Sequence, residues 1–424
     1  MEKIGKYQVI RKLGEGATSA VYLCQDPFNN RQVAVKRVHP EALKDVERGH
    51  LYKKLFIAEA SLAGRLTHPH IATIFDAVTE EEEKYIVVEY VAGTTLEKFC
   101  VADALLPVKT VVEVIFKCTR ALDFAHKVGV THRDIKPANI MMVEGDDHDV
   151  KITDFGAAIT GSVEETQVAG IGSPAYMSPQ QVKEHPLTHQ TDIYSLGVVM
   201  YQMLAGQLPF QASNNFSMIY QIVNTEPAPV SSLRTDIPRS VDFIVKKAMA
   251  KDLDDRYQEW DEFALDLAEA FRNESMEADN QFADSEKFNT LRGLTFFKKF
   301  SDVEIWEVAK LSKWEALPPG QLILREGDEG DHFCIIASGQ IKVTRRNKLL
   351  NILDAGECFG EMAYLGEDKR RGADVSTMSD AKVISVPTVA LTQASDATRH
   401  QFDAAFLSIL VERLTMANVR LSSV

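Results

Sequence analysis

The sequence predicts an α+β chain built in two parts, and three observations carry that prediction. Residues 7–38 alternate as short strands around a glycine turn. The middle of the chain is dominated by helical spacing, from 51–66 through Ile193–Phe210 to Trp260–Phe271. From Leu294 the pattern turns to short, evenly spaced strands with glycine turns, which suggests a β-barrel or jelly roll with flanking helices. A chain of 424 residues has room for about three domains.

Composition narrows the function classes. The 47 basic against 61 acidic residues give a net charge of −14, which argues against a general nucleic-acid or anionic-membrane binder. The five cysteines (Cys24, Cys100, Cys118, Cys334, Cys358) are scattered and lack CxxC spacing, as expected for reduced thiols in a cytoplasmic protein. Met1–Lys6 leads into an alternating pattern rather than an apolar run, so no signal peptide is expected. Ile193–Phe210 is too interrupted by Tyr, Ser, Gln, Gly and Pro to span a membrane and is expected as a buried helix.

Taken in order, Tyr7–Ile10 and Val21–Cys24 flank Leu13-Gly14-Glu15-Gly16-Ala17-Thr18-Ser19-Ala20. A glycine turn between strands lets backbone N–H groups approach phosphates, although a plain hairpin turn would look the same. Val33-Ala34-Val35-Lys36 is a strand ending in a lysine, and 51–66 has helical spacing with Glu59 among Leu55, Phe56, Leu62 and Leu66. Such a helix would carry Glu59 to Lys36 as an ion pair; alone, each is an ordinary surface charge.

Thr131-His132-Arg133-Asp134-Ile135-Lys136-Pro137-Ala138-Asn139, with Asp154-Phe155-Gly156 fifteen residues past Asn139, is the informative stretch. Phosphoryl transfer needs a carboxylate for the hydroxyl proton, oxygen ligands for Mg²⁺ and a cation for the moving group. Asp134 is the candidate base, Lys136 the cation, and Asn139 and Asp154 the metal ligands.

With Gly14, Gly16, Lys36, Glu59, Asp134, Asn139 and Asp154 in this order, residues 5–272 resemble a eukaryotic-type protein kinase. Lys136 in Asp-Ile-Lys-Pro-Ala-Asn is similar to the serine/threonine branch. The resemblance implies a two-lobed fold, with a β-rich N-lobe to about Tyr90, a helical C-lobe, and ATP with Mg²⁺ (or Mn²⁺) between them. It implies an ATP site of Leu13, Gly14, Gly16, Val21, Ala34, Lys36, Glu89, Val91 and Met141. There the backbone of Glu89 and Val91 would meet the adenine edge, with Val88 behind it. Asp154–Pro179 would be the activation segment, with Thr166 and Ser162 as phosphorylation candidates and Arg133 as the phosphate's partner. Ser173 would stand structurally near the catalytic Asp and Lys. Asp192 would brace the catalytic loop. Two positions depart from the family: Ser19 stands where the third loop glycine would be, and Gln180 replaces the glutamate that pairs with a buried arginine, here Arg256. A buried arginine without its anion is costly, so another acid or a loosely anchored segment is expected.

Residues 273–293 are polar and acidic at their start and are expected as a linker or charged helix. Beyond them come Gly327-Asp328-Glu329-Gly330-Asp331, Ser338-Gly339, Phe359-Gly360-Glu361-Met362 and Arg370-Arg371-Gly372-Ala373. A helix starting at Gly360 would present N–H groups to an anion, Glu361 would accept from a ribose hydroxyl, and an arginine would fork onto a phosphate. Residues 294–424 resemble a cyclic-nucleotide-binding domain, which implies a pocket of Gly360, Glu361, Met362, Arg371, Gly372 and Ala373. Register from Val375 selects Arg371 over Arg370. Gly372 lacks the hydroxyl that favours cGMP, which points to cAMP, while Asp374 would repel an anion if it faced inward. Phe402–Leu421 is expected as a helix that closes over a base or packs on the barrel. Arg370–Ala373 also has the look of a pseudosubstrate, a weaker reading than the phosphate pocket. The expected function is a serine/threonine protein kinase acting on protein hydroxyls and regulated by a cyclic nucleotide. The alternative is a kinase-fold scaffold or switch whose C-terminal module binds another ligand or none. No protein substrate, sign of regulation or oligomeric state follows from the sequence.

Overall fold

The computed structural model describes residues 2–16, 18–46, 48–80, 83–145, 149–157, 159–160, 174–274, 282–362 and 369–422. The chain divides into two compact units, Met1–Glu277 and Ala278–Val424.

The first unit opens with an antiparallel sheet. Its strands are β1 (Lys3–Ile4), β2 (Tyr7–Glu15), β3 (Ser19–Asp26), β4 (Arg31–Val38), β5 (Ile74–Thr79) and β6 (Lys84–Glu89), in the order β1-β2-β3-β4-β6-β5. Strand alternation explains why these residues pair. Tyr7, Cys24, Val33, Val35, Tyr85 and Val87 point to one face and bury together. Ala34 and Lys36, two residues apart, therefore share the opposite face. Between β4 and β5 lie α1 (Pro40–Lys44) and α2 (Gly49–Ala60). α2 is shorter than the predicted 51–66: the chain turns after Ala60, and Leu62 and Leu66 bury from that turn rather than from helix.

The rest of the unit is mostly helical. A small sheet of β7 (Gly93–Thr95), β9 (Ile140–Val143) and β10 (Val150–Ile152) sits beside the pair β8 (Val130–Thr131) and β11 (Ile159–Thr160). Around them pack α3 (Val108–Lys127), α4 (Pro179–Val182), α5 (His189–Ala205), α6 (Asn215–Asn224), α7 (Arg239–Ala248) and α8 (Trp260–Glu274). α5, which contains most of the predicted Ile193–Phe210 helix, is buried along nearly its whole length, as its apolar sequence requires.

The second unit begins with α9 (Asp284–Gly293) and α10 (Asp302–Leu311). The last ten residues of the stretch 273–293 are thus helical, because Phe288 and Leu291 bury and the Phe288 ring packs, tilted, 4.7 Å from that of Trp306. Two four-stranded antiparallel sheets follow, in the jelly-roll manner. One is β12 (Lys313–Leu317), β19 (Ala381–Pro387), β14 (His332–Ser338) and β17 (Cys358–Phe359). The other is β13 (Leu322–Leu324), β18 (Asp374–Thr377), β15 (Ile341–Arg345) and β16 (Lys348–Leu353). Leu324, Cys334, Ile336, Ile341, Leu353, Phe359, Val375 and Val383 form their common core. α11 (Thr388–Gln393) and α12 (Asp396–Ser422) close the chain. α12 buries Phe402 and Phe406 against Phe296, Phe297 and Phe333, so its first half packs on the barrel, while Leu414 is exposed.

Candidate functional sites

In the first unit, strand register and one helix bring three distant charges together. Lys36 Nζ, at the end of β4, donates to Glu59 Oε2 at 2.9 Å and Oε1 at 3.1 Å, and to Asp154 Oδ1 at 2.6 Å. Burial alone would lower the Lys36 ammonium, but the two carboxylates overcome it and hold it above its ordinary value. Burial pushes Glu59 up against the pull of Lys36, whereas at Asp154 the pull of Lys36 overcomes burial and holds the carboxyl down. Gly156 leaves room beside this trio, since a Cβ there would stand 3.1 Å from both Asp154 Oδ1 and Glu59 Oε2 and press on them.

The residues of the His132–Asn139 stretch form a second cluster. Lys136 Nζ donates to Asp134 Oδ2 at 2.7 Å. Asn139 Nδ2 donates to the same oxygen at 3.1 Å and to the Asp134 carbonyl at 2.8 Å. The buried Asp192, in the first turn of α5, accepts from the N–H groups of His132 and Arg133 at 2.7 and 2.8 Å. Burial still raises its carboxyl above the usual range. The His132 ring lies 4.5 Å from that of Phe155, tying this loop to the Asp-Phe-Gly turn.

The predicted ATP-site residues fall on the strands around these clusters. Val21 pairs opposite Lys36, Ala34 opposite Val88, and Met141 opposite both Thr95 and Lys151. Leu13 and Gly14 lie near the end of β2, and the Gly16 N–H donates to Ser19 O at 2.8 Å. The Glu89 N–H donates to Thr73 O at 2.8 Å, and its side chain meets Lys151 at 3.0 Å. Val91 lies two residues past the end of β6 and is half-buried. Ser162, Thr166 and Ser173 lie outside the described residues.

Gln180 corrects one expectation. No acid replaces the missing glutamate among the described residues. Arg256 is satisfied by neutral oxygens: Gln180 Oε1 at 3.1 Å, Gln190 O at 2.9 Å, and Ala250 O at 2.7 Å. Gln180 Nε2 in turn donates to Lys251 O at 3.1 Å, so the chain is anchored at Gln180 without an acid. Burial lowers the guanidinium to about 10.

In the second unit, Arg371 is buried, while Arg370 is exposed and bridges Glu329 through the backbone. The Arg371 guanidinium donates to Gly360 O at 2.9 Å and His332 O at 2.7 Å, and burial lowers its pKa. Gly360 has φ 77°, and a Cβ there would approach Arg371 Nη1 to 2.7 Å. Asp374 accepts from the Glu326 N–H at 2.7 Å, which accounts for its carboxylate. Glu361 is buried and paired with Arg413 of α12, whose guanidinium also donates to Cys358 O at 2.6 Å. Met362 and Gly372 are exposed, and Ala373 is half-buried. Most of the helix expected from Gly360 falls outside the described residues.

Sequence reasoning missed Arg413 and the pair Ser178–Gln181. No spacing marks Arg413, whose partner is 52 residues away. Ser178-Pro179-Gln180-Gln181 does carry a legible signal, the Ser-x-x-Gln of a capping box.

A two-lobed kinase domain followed by a jelly-roll domain is the class this fold defines. A model of the protein kinase domain matches residues 7–266, and one of the cyclic nucleotide-binding domain matches residues 314–397. The chain belongs to the protein kinase family and carries a cyclic nucleotide-binding domain at its C-terminal end. Among curated proteins it is similar to a probable serine/threonine-protein kinase of Clostridium acetobutylicum, 35% identical over 65% of this chain and 41% of that protein. It is 34% identical to serine/threonine-protein kinase PknB of Mycolicibacterium smegmatis, over 68% of this chain and 46% of the relative. It is also 34% identical to serine/threonine-protein kinase PrkC of Bacillus subtilis, over 63% of this chain and 41% of the relative. The chain spans less than half the length of these relatives. Among the described residues no helix is long and apolar enough to cross a membrane.

Proposed function

We propose that this chain transfers the γ-phosphoryl group of ATP to serine and threonine hydroxyls of proteins, and that a cyclic nucleotide at its C-terminal domain biases that activity. The observation that carries the kinase half is the three-way contact of Lys36 with Glu59 and Asp154, formed beside a catalytic loop whose Asp134, Lys136 and Asn139 are already bonded to one another.

Asp134 receives the proton of the attacking hydroxyl, and its bonds to Lys136 and Asn139 fix the carboxylate's direction. Lys136 and Lys36 neutralise phosphate charge. Asn139 spends its amide nitrogen on Asp134, which leaves its carbonyl oxygen as a ligand atom. Asp154 spends one oxygen on Lys36, which leaves the other. That pair of hard oxygen donors fits Mg²⁺ or Mn²⁺, which when bound would neutralise charge on the phosphates. Since the Glu89 N–H is taken by Thr73, a bond from Glu89 to adenine would come through its carbonyl, with Val91 supplying the next backbone contact. Leu13, Gly14 and Gly16 would cover the phosphates, and Val21, Ala34 and Met141 the ring. Thr166 and Ser162 remain the phosphorylation candidates, with Arg133 as partner.

For the C-terminal domain, Arg371 would take the cyclic phosphate beside the Gly360 backbone, Glu361 the ribose, and Met362, Gly372 and Ala373 the flanks, with cAMP favoured over cGMP. All five cysteines are buried and free, which suits a reducing compartment, and we place the activity in the cytoplasm. A second reading has its own observation: Glu361 is already paired with Arg413. In it the domain is structural or takes another ligand, and the kinase fold serves as a scaffold.

The test is phosphorylation of a generic basic protein by the full chain with Mg-ATP across titrations of cAMP and cGMP. Transfer that falls at least about 10²-fold in Asp134→Ala is expected, with a saturable nucleotide response lost in Arg371→Ala. Full activity in Asp134→Ala would contradict the kinase reading. A rate indifferent to both nucleotides would favour the second reading of the C-terminal domain.

A further inference from the structure

We infer that Gln181 is a positioning residue for phosphoryl transfer, its side-chain amide tying the helix at the end of the activation segment to the peptide that carries Asp134. The inference rests on the kinase reading above, in which Asp134 receives the hydroxyl proton.

Arg133 stands at φ 66°, a left-handed conformation that a residue with a Cβ adopts only when its surroundings hold it there. Hydrogen bonds hold it on both sides. Its N–H donates to Asp192 Oδ1 at 2.8 Å. Its carbonyl oxygen accepts from Gln181 Nε2 at 2.9 Å. That carbonyl and the Asp134 N–H belong to one planar peptide, so fixing them fixes the direction in which Asp134 leaves the loop. The Asp134 N–H goes to His132 Nδ1 at 3.3 Å. Both polar atoms of the peptide are therefore engaged, by His132 within the loop and by Gln181 from α4, while Asp192 of α5 holds the preceding N–H.

The amide of Gln181 does two jobs at once. Its Oε1 accepts from the Ser178 N–H at 2.9 Å, while Ser178 Oγ accepts from the Gln181 N–H at 3.2 Å. This capping box starts α4. Only one orientation of the amide serves both ends. Reversed, it would set N–H against the Ser178 N–H and oxygen against the Arg133 carbonyl. The neighbouring Gln180 faces the other way and fastens α4 to Arg256 and the Lys251 carbonyl. The end of the activation segment, the C-lobe core and the catalytic carboxylate are thereby one mechanical unit.

The two jobs can be separated. Gln181→Glu keeps the capping oxygen and replaces the donor by a second oxygen facing the Arg133 carbonyl. Gln181→Met keeps the length and removes both bonds without adding charge. The readouts are the single-turnover rate of transfer from Mg-ATP to a basic protein, the KM for ATP, and the melting temperature of the full chain. Gln181→Glu is expected to slow transfer about tenfold, with an unchanged KM for ATP and a melting temperature lowered less than that of Gln181→Met. Gln181→Met is expected to slow transfer similarly and to melt lower. A wild-type rate in Gln181→Glu would overturn the inference. So would a wild-type rate in Gln181→Met, which would assign the other variant's loss to its charge, or a rate loss that merely follows the melting temperature in both. A wild-type chain that binds Mg-ATP yet transfers nothing would overturn the kinase reading and this inference together.

Discussion

Lys36 and Arg371 are both cations withdrawn from water, and their environments shift them in opposite directions. Lys36 faces two carboxylates, which raise it despite burial. Arg371 donates to two carbonyl oxygens, and burial lowers it. The difference teaches how each region handles an anion. The Lys36 cluster sets two of the chain's own carboxylates against one ammonium, so a phosphate there would have to enter with the metal that Asn139 and Asp154 are proposed to hold. Among the described residues the Arg371 guanidinium donates only to carbonyl dipoles, with the Asp331 and Glu361 carboxylates acting on it without a direct bond, so an anionic ligand would supply the direct charge contact.

The largest expected effect breaks the first half of the comparison. Lys36→Met leaves Glu59 buried without its cation and should cost about 3–5 kcal/mol of first-unit stability, with phosphoryl transfer down at least about 10²-fold. Arg371→Ala removes a donor from two neutral carbonyls and should destabilise the second unit far less, by about 1–2 kcal/mol. Denaturant unfolding followed separately for the two units checks both, and equal losses would erase the distinction.

Arg256 sharpens it, as a second cation held by neutral oxygens. Gln180→Ala removes one of those acceptors and the Lys251 tether, and should cost about 2 kcal/mol by thermal unfolding. An unaltered melting temperature would mean that Gln180 does not anchor α4.

The smallest effect concerns Lys251, whose ammonium donates to Ile222 O at 2.8 Å and lies 4.3 Å from the Phe210 ring centre. Burial, with Arg256 nearby, lowers it from 10.5 to about 8. Between those values the unfolded chain holds a proton that the folded chain has lost, so stability should rise as pH climbs from about 8 toward 10.5. Lys251→Met should flatten that rise in unfolding curves taken across the range.

Much of this was legible in the sequence, and the rest fails for identifiable reasons. The order of Lys36, Glu59, Asp134, Asn139 and Asp154 announced the kinase domain, because phosphoryl transfer demands those residue types and strand and helix periods deliver them. The jelly roll was legible from evenly spaced strands and glycine turns. The fate of Arg256 was not: the sequence shows a missing glutamate but cannot show the Ala250 and Gln190 carbonyls that a fold brings within reach. Nor was Arg413, because an ion pair between a barrel turn and a terminal helix leaves no periodic trace. The helix at 284–293 was obscured by its acidic start, although Phe288 and Leu291 at helical spacing carried the signal. Gln181 was readable as a cap, but its second bond, to Arg133, depends on the loop's left-handed turn.

The central claim, that Arg371 is a cation awaiting an external anion while Lys36 is not, is tested most directly by calorimetric titration of cAMP into the full chain and its Arg371→Ala variant. The account predicts saturable binding to the wild type and binding weaker by about 10²-fold in the variant. No binding to the wild type, or equal binding to both, would contradict it.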